Sequence, residues 1–280
     1  MVQAIEKDYY VTMLLRLLAQ RMPYIVFKGG TSLSKCHKVI RRFSEDIDIT
    51  IDTLLSQGQK KKIKQAIVES AEELGMTIEN LDETRSRRDY NRYVIAYDSV
   101  IPMASDALKA AVLLETSYTA VSFPTVLLPV HSYIGDMMEQ EAPDAIEEYN
   151  LNPFEMKVQG IDRTLADKVF AVCDYYLQGK VAKHSRHLYD IYKLLPLVPQ
   201  DENFKELVKE VRAVREQSVI CPSALPEANV PELLEKIIKE KAYKQDYDSL
   251  TTQLLEENVP YNTVIATLKK VAESSIFENN

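Results

Sequence analysis

The sequence predicts an α/β protein in which helices flank a mixed sheet, followed by a helical C-terminal half. A short apolar run over residues 24–27 is interrupted by two glycines and followed by a helical pattern. Later segments alternate with a period of two, which is typical of half-buried strands. We therefore predict two domains, an α/β domain over residues 1–159 and a helical domain over residues 160–280 that completes the functional site.

The first elements are a helix, a strand, a turn and a second helix. Residues 4–20 carry apolar side chains at helical spacing, and residues 24–27 form a short strand. Gly29 and Gly30 then permit a tight turn in which backbone N–H groups are accessible to an anion. The pattern of residues 31–42 predicts a helix that starts at this turn.

The following elements continue the sheet and then give way to helices. Residues 57–74 form a charged amphipathic helix that Gly75 terminates. Strand patterns cover residues 46–49, 76–81, 90–98, 109–116 and 155–158. The C-terminal half opens with predicted helices over residues 162–177 and 184–195, and prolines punctuate the remainder.

The composition is that of a folded protein with a substantial core. The chain has 280 residues, of which 46% are hydrophobic. No apolar run approaches the ~20 residues of a membrane span, and the N-terminus lacks a signal-peptide pattern, so we expect a soluble cytoplasmic protein with no membrane partner. Its three cysteines are widely spaced without a C-x-x-C motif, which argues against disulfides and structural zinc.

The net charge of −8 argues against a protein that coats nucleic acid indiscriminately. Basic clusters nevertheless occur at residues 60–64, 85–92 and 180–186. Each cluster alone is more typical of a solvated helix or turn surface, whereas convergence of the three would create a basic groove. Tyr90 and Tyr93 lie within or beside the second cluster, where a nucleic-acid base would stack, although packing is the more common role of tyrosine.

Asp46 and Asp48 are the strongest candidates for metal ligands. A strand places both carboxylates on one face, while Ile47 and Ile49 point into the core. Two like charges held so close favour a bound cation, and hard oxygen ligands suit Mg²⁺, which completes its shell with substrate phosphates and water. A glycine turn ahead of this pair indicates nucleotide chemistry.

Two segments, Lys-Gly-Gly-Thr at 28–31 and Arg-Phe-Ser-Glu-Asp-Ile-Asp at 42–48, together resemble the signature of AbiEii-type toxins of the nucleotidyltransferase superfamily. The resemblance covers the N-terminal part of the chain closely. It implies a nucleotidyltransferase-type mixed sheet, Mg²⁺ as the cofactor and a nucleoside triphosphate (NTP) as the substrate. It also implies that Asp46 and Asp48 are catalytic residues that hold the metal ion.

The same resemblance assigns the glycine turn to the triphosphate. Gly30 and Thr31 would bind the β- and γ-phosphates, and Gly29 belongs to the same turn. Lys28 and Lys35 would add phosphate contacts from either side of the turn. Taken separately, a Gly-Gly pair between a strand and a helix is often only a turn. The assignment to phosphate binding therefore depends on the occurrence of this turn together with the acidic pair.

Glu115 and Lys168 are candidates outside the signature. Glu115 ends an apolar strand and is the best third carboxylate for a two-metal site, although an exposed acid at a strand end is an equally good interpretation. Lys168 borders the apolar stripe of its helix. The resemblance implies that it is a catalytic residue that contacts the NTP phosphates, whereas a lysine that covers the core edge is the alternative.

Asp190 is also a catalytic-site residue by resemblance, orienting Lys168 or the acceptor or assisting proton removal from the attacking hydroxyl. From the residues alone it also fits an i,i+4 ion pair with Arg186. His184 and His187 on the same helix do not indicate a metal pair, because no Glu or Cys joins them at ligand spacing.

Ser44 lies two residues before Asp46 and suggests a form of regulation. A phosphate on its hydroxyl would place negative charge beside the two metal-binding acids, and that charge would block the site. This hypothesis predicts that a glutamate at position 44 inhibits the protein.

The sequence therefore predicts the toxin enzyme of a toxin–antitoxin system. By resemblance, it transfers a nucleoside monophosphate from an NTP to an acceptor, most often the 3′ end of tRNA, and its partners are tRNA and a cognate AbiEi-like antitoxin. Two alternatives remain. One is transfer to a protein hydroxyl or to a small molecule such as an aminoglycoside, and the other is an inactive nucleotide-binding module, against which the intact acids argue.

Overall fold

The computed structural model describes residues 2–101, 109–121 and 123–278. These residues group into two compact units. The first unit comprises Met1–Lys38 and Ser44–Gln159, and the second comprises Val39–Phe43 and Gly160–Asn280. The chain thus contributes a short segment to the second unit long before the main C-terminal part begins.

The first unit contains a mixed sheet with the strand order β3-β4-β5-β2-β1-β7-β6 over the described residues. Its strands are β1 Ile25–Lys28, β2 Ile47–Ile51, β3 Thr77–Ile78, β4 Tyr90–Ala96, β5 Ala111–Val121, β6 Thr125–Val130 and β7 Phe154–Gln159. Strand β2 pairs antiparallel with β1 and parallel with β5, so the centre of the sheet is mixed. The confirmed fold class is therefore a mixed α/β sheet with flanking helices.

The helices of the first unit are α1 Val2–Arg21, α2 Gly29–Lys35, α3 Gln57–Glu73, α4 Tyr133–Glu141 and α5 Pro143–Glu148. Apolar side chains of α1 and α3 pack with one face of the sheet in a single core, in which Leu14, Ile49, Ile67 and Leu114 are completely buried. The other face carries polar side chains, including Lys28, Asp48, Glu115 and Arg92, and is called the polar face below. These charged side chains thus lie on the face of the sheet that is opposite the core.

The second unit is helical. Its elements are α6 Ile161–Leu177, α7 Arg186–Leu194, α8 Glu202–Glu216, α9 Val230–Glu240, α10 Lys244–Asp246, α11 Thr252–Leu254 and α12 Tyr261–Ala272. The segment Val39–Phe43 joins it through two backbone hydrogen bonds, from Phe43 to the carbonyl of Leu254 at 3.0 Å and from Glu256 to the carbonyl of Arg41 at 3.0 Å. No described helix combines the length and hydropathy that a bilayer crossing requires.

The structure corrects several predicted elements. Helix α2 ends at Lys35, well before the predicted end near Arg42, because the N–H groups of Cys36 and His37 both bond to the Ser32 carbonyl and Lys38 then adopts a positive φ of 56°. The strand predicted over 76–81 is reduced to two residues. Strand β6 and helices α4 and α5 were not predicted; they are 6, 9 and 6 residues long, and a periodic pattern is weak in segments this short.

Candidate active site

The glycine turn and the acidic strand meet directly in the first unit. Lys28 at the end of β1 is the register partner of Asp48 on β2. Gly29 follows with φ of +80°, a backbone conformation that side chains other than glycine rarely adopt. A Cβ atom on Gly29 would lie 2.1 Å from Oδ2 of Asp48. The carboxylate of Asp48 therefore lies against the turn, in space that only a glycine leaves open.

The second acid follows from the alternation along the chain. Ile47 and Ile49 are completely buried in the core, and Asp48 between them lies on the polar face. Asp46 lies one residue before β2, and both aspartates are half-buried. The predicted alternation of acids and isoleucines is thus present in the structure.

A row of four charged residues crosses the polar face. The register pairs Lys28 with Asp48, Asp48 with Glu115, and Glu115 with Arg92, so positive charges lie at the ends and negative charges in the middle. Nε of Arg92 lies 3.7 Å from Oε1 of Glu115. Burial of Tyr90, followed by the negative charge of Glu115, raises the pKa of Tyr90. We refer to these four residues as the charged row.

The residues present fit a divalent cation that takes only one or two of its ligands from the protein. No three His, Cys, Asp or Glu side chains gather into a metal-binding group among the residues that the structure describes. The Asp48 carboxylate against the Gly29 turn, with Asp46 two residues before it, nevertheless matches Mg²⁺, which usually takes one or two protein carboxylates and completes its shell with substrate oxygens. Asp46 and Asp48 are the ligand candidates. A ligand role for Glu115, which pairs with Arg92, stays a prediction.

The lysines around the turn differ sharply. Lys35 is buried and bonds to the carboxylate of Asp8, to Oγ1 of Thr12 at 2.8 Å and to the carbonyl of His131 at 3.2 Å. The prediction that Lys35 contacts phosphate is wrong, because its ammonium group is fully engaged in the core. The half-buried side chain of Lys28, in contrast, forms no ion pair or hydrogen bond with any residue in the described ranges.

Thr31 and Ser44 are linked within the first unit. The Oγ1 of Thr31 and the Oγ of Ser44 form a hydrogen bond of 2.9 Å, and Thr31 is almost completely buried. Ser44 is followed closely in the chain by the two aspartates. The residue that begins the predicted phosphate-binding helix is thus tied to the segment that leads into the acidic strand.

The second unit contains a buried ion cluster centred on Asp190. Arg42 donates two hydrogen bonds to the two carboxylate oxygens, from Nε at 2.7 Å and from Nη2 at 2.8 Å, and Nζ of Lys168 lies 2.6 Å from Oδ2. Asp190 is completely buried. Burial alone would raise the pKa of Asp190, but the charges of Arg42 and Lys168 and the bonds from Arg42 hold it well below its usual range.

His187 adjoins the same cluster. Its Nδ1 lies 3.4 Å from Nζ of Lys168, and its ring stacks parallel to those of Tyr175 and His184. Burial, followed by the charge of Lys168, lowers the pKa of His187 well below its usual value, so the imidazole is neutral at pH 7. Burial likewise lowers the pKa of Lys168, and Asp190 opposes this shift.

The surroundings of Asp190 bear on the roles that the resemblance implies for it. Both carboxylate oxygens are engaged, and the depressed pKa makes Asp190 a poor proton acceptor at neutral pH. Proton removal, one of the roles inferred from the resemblance, is therefore disfavoured, while its contact with Lys168 agrees with orientation of that side chain. The described bonds of Asp190 lead to Arg42 and Lys168, and the i,i+4 interpretation with Arg186 does not explain them.

Sequence reasoning missed the roles of Arg42 and His187. Arg42 opens the second signature segment, Arg-Phe-Ser-Glu-Asp-Ile-Asp at 42–48, and its place there was the available signal. Its partner lies 148 residues away in the chain, and that pairing depends on the tertiary fold. Among the tyrosines, Tyr93 is buried in the core, so only Tyr90 lies on the polar face.

Comparisons with known proteins agree with this geometry. The family model for the nucleotidyl transferase AbiEii toxin of type IV toxin–antitoxin systems matches residues 13–269. A search of curated protein sequences gave no significant match. Among solved structures, the chain resembles MenT4, a nucleotidyltransferase toxin from Mycobacterium tuberculosis H37Rv, with a TM-score of 0.52 and 16% identity over 97% of this chain and 83% of that chain.

The structural similarity supports the fold, and the family match extends over nearly the whole chain, including the glycine turn, the acidic strand and the buried cluster. A toxin of this kind uses an NTP and has an antitoxin as its partner. The chain belongs to the AbiEii family of nucleotidyltransferase toxins of type IV toxin–antitoxin systems.

Proposed function

We propose that this toxin transfers a nucleoside monophosphate from an NTP to the 3′ end of tRNA in a reaction that requires Mg²⁺. The observation that carries the proposal is the contact between the Asp48 carboxylate and the Gly29 turn. It brings a metal-binding acid to the place where the triphosphate would lie. An inactive protein that kept only the fold would not need a glycine next to that carboxylate.

The candidate site residues of the first unit each have a task in this reaction. Asp46 and Asp48 would hold Mg²⁺, which when bound polarises the α-phosphate and activates the acceptor hydroxyl. The turn at Gly29 and Gly30, with Thr31, binds the β- and γ-phosphates, and Lys28 supplies positive charge beside them. The acceptor oxygen forms a bond to the α-phosphorus, the bond to the bridging oxygen breaks, and pyrophosphate leaves.

Lys168 and Asp190 act through charge and orientation. We assign Lys168 the neutralisation of negative charge that develops on the phosphate oxygens. Asp190 and Arg42 fix the position of its ammonium group in the second unit. A lysine suits this task because its ammonium group is a compact point charge.

The acceptor and the partner are inferred from the family. Transfer to tRNA 3′ ends would stop translation, which fits a toxin, and an AbiEi-like protein with a DNA-binding domain would be the antitoxin. A protein hydroxyl, a small molecule and the absence of transfer are the competing outcomes. They differ in where a labelled nucleotide would be found.

The test is incubation of the protein with each of the four labelled NTPs, Mg²⁺ and total RNA. Label in the tRNA fraction supports the proposal, whereas label on protein, on a small molecule or nowhere contradicts it. The matched control is Asp46→Ala, which should abolish labelling. Removal of divalent ions with a chelator should also abolish labelling, and added Mg²⁺ should restore it.

The Ser44 hypothesis is tested in the same assay. Ser44 bonds to Thr31, so a negative charge at position 44 would disturb the phosphate-binding residue as well as the acids. Ser44→Glu should therefore be inactive, while Ser44→Thr, which keeps a hydroxyl, should retain transfer. Full activity of Ser44→Glu would contradict this form of regulation.

A further inference from the structure

A cavity of about 710 Å³ lies in the first unit beside the charged row. The cross-strand pair of Val94 and Leu113, on the polar face, forms part of its lining. Arg92 belongs both to the cavity lining and to the charged row. The cavity therefore begins where the row ends, on the side of β5 and β4.

The direction of the proposed reaction distinguishes the two sides of Asp48. The Gly29 turn lies on the β1 side, so the β- and γ-phosphates and the departing pyrophosphate lie there. In an in-line displacement the attacking oxygen approaches the α-phosphorus opposite the leaving group. The acceptor would therefore enter from the side of β5, where Glu115 pairs with Asp48 and the cavity follows.

The charge of the lining is opposite to that of the whole chain. Four basic and two acidic side chains line the cavity in a protein with a net charge of −8. Lys7 is paired with Glu45 at 2.7 Å. Arg88 donates to the neutral backbone carbonyl of Glu83 at 3.1 Å, and it forms no ion pair with an acid in the described part of the chain. Lys109 has no acidic partner among the residues described.

Tyr90 adds an aromatic surface to this basic lining. Its side chain is 52% exposed and lines the cavity together with Arg88 and Arg92. An exposed aromatic ring beside positive charge matches a nucleic-acid strand, which offers a stackable base next to each phosphate. An acidic peptide would use the charges but leave the ring without a partner.

We propose that this cavity binds the 3′-terminal nucleotides of a single-stranded RNA acceptor. Arg88 and Lys109 contact its phosphates, and Tyr90 stacks on a base near the attacking hydroxyl. The identity of the reaction rests on the proposed function, whereas RNA binding by these residues does not require catalysis. The two ideas can therefore fail independently.

The test measures RNA binding by the full chain carrying Asp48→Asn, which prevents transfer during the measurement. The probe is a fluorescent single-stranded RNA with a free 3′ end, followed by anisotropy over a range of salt concentrations. Arg88→Ala and Lys109→Ala should each weaken binding about fivefold and lower the salt slope by about one. Arg87→Ala is the matched control, since Arg87 has the same charge on the same loop but does not line the cavity.

A second pair of variants tests stacking. Tyr90→Phe keeps the ring and loses the hydroxyl, while Tyr90→Leu keeps apolar volume and loses the ring. Tyr90→Phe should bind the RNA about tenfold more tightly than Tyr90→Leu, the size expected for one stacked base. Equal affinity of the two variants would overturn the stacking role.

The remaining outcomes separate this inference from the proposed function. If Arg88→Ala and Lys109→Ala bind RNA as tightly as Arg87→Ala, or if no form binds RNA, the inference is overturned even where nucleotide transfer is demonstrated. If they lose affinity while labelled nucleotide goes to protein or nowhere, the inference stands and the proposed function fails. Competition by polyglutamate as effective as that by RNA would overturn the assignment to nucleic acid.

Discussion

The two charged groups of this toxin differ in how tightly the fold holds them. In the first unit, Asp48 is half-buried, and the ion pair of the charged row between Arg92 and Glu115 spans 3.7 Å. In the second unit, Asp190 is completely buried and has ion pairs of 2.7 and 2.6 Å. The first group has the exposure that a substrate requires, and the second is complete without one. Substitutions in the first should change activity alone, whereas those in the second should also change stability.

Asp48→Asn should give the largest effect and tests the first half of this comparison. Under the proposed function Asp48 is one of two metal ligands, and its loss removes several kcal/mol of transition-state stabilisation, so the rate of nucleotide transfer should fall about a thousandfold or more. The free energy of unfolding should change by less than about 0.5 kcal/mol, as for a side chain that is not part of the core. Transfer kinetics and urea denaturation of the same preparation measure both. A large loss of stability would show that Asp48 is structural.

Asp190→Asn tests the second half. Removing the anion leaves the buried charges of Arg42 and Lys168 uncompensated, which should destabilise the protein by about 3–5 kcal/mol. Urea denaturation measures the change. Adding Lys168→Met should recover part of the loss, because one of the uncompensated charges is then removed. A double variant as unstable as the sum of the single variants would contradict the coupling.

The same cluster predicts a pH dependence. The folded-state pKa of Asp190 lies below its ordinary value of 3.8, so its ionised form contributes stability that is complete above pH 3.8 and is lost as the pH falls toward the folded-state value. The stability difference between wild type and Asp190→Asn should therefore shrink below pH 3.8, by about 1.4 kcal/mol per pH unit. Denaturation at several acidic pH values measures this difference. A difference independent of pH would contradict the ionised state of Asp190.

Gly29→Ala should give a smaller loss that sharpens the role of the turn. The added Cβ would overlap the Asp48 carboxylate and displace it, and a displacement of about 1 Å can lower a rate about a hundredfold. Gly75→Ala is the matched control, because Gly75 also has a positive φ, of 67°, but nothing lies within 4 Å of its Cβ position. Both variants should lose about 1–2 kcal/mol of stability. Only Gly29→Ala should lose transfer activity. Equal activity of the two variants would show that the turn is not part of the active site.

Local patterns predicted the parts of this molecule that local physics determines. The alternation around Asp48 follows from the period of a strand, and the end of α3 follows from a glycine with positive φ. The mixed α/β fold class was predicted correctly for the same reason. The family resemblance named Asp46, Asp48, Lys168 and Asp190, whose roles stay predictions until they are tested.

The parts that sequence could not predict depend on distant partners. Lys35 and Lys28 look alike beside the turn, but only the fold brings Asp8 to Lys35 and thereby removes it from the phosphate site. Similarly, Arg92 enters the charged row through its register with Glu115, and register between strands is not determined by the sequence of either strand alone. The type of a residue therefore predicted its role less well than the partner that the fold brings to it.

His187 gives the smallest expected effect and tests how the buried cluster serves Lys168. His187→Phe keeps a ring that can stack with Tyr175 and His184 but removes the acceptor at Nδ1, which lies 3.4 Å from Nζ of Lys168. Loss of one hydrogen bond of this kind, worth about 1 kcal/mol, should raise the KM for NTP about fivefold with little change in kcat. His187→Asn, whose amide oxygen can replace Nδ1, should restore part of the affinity. Equal KM values for Phe and Asn would show that His187 acts only by packing.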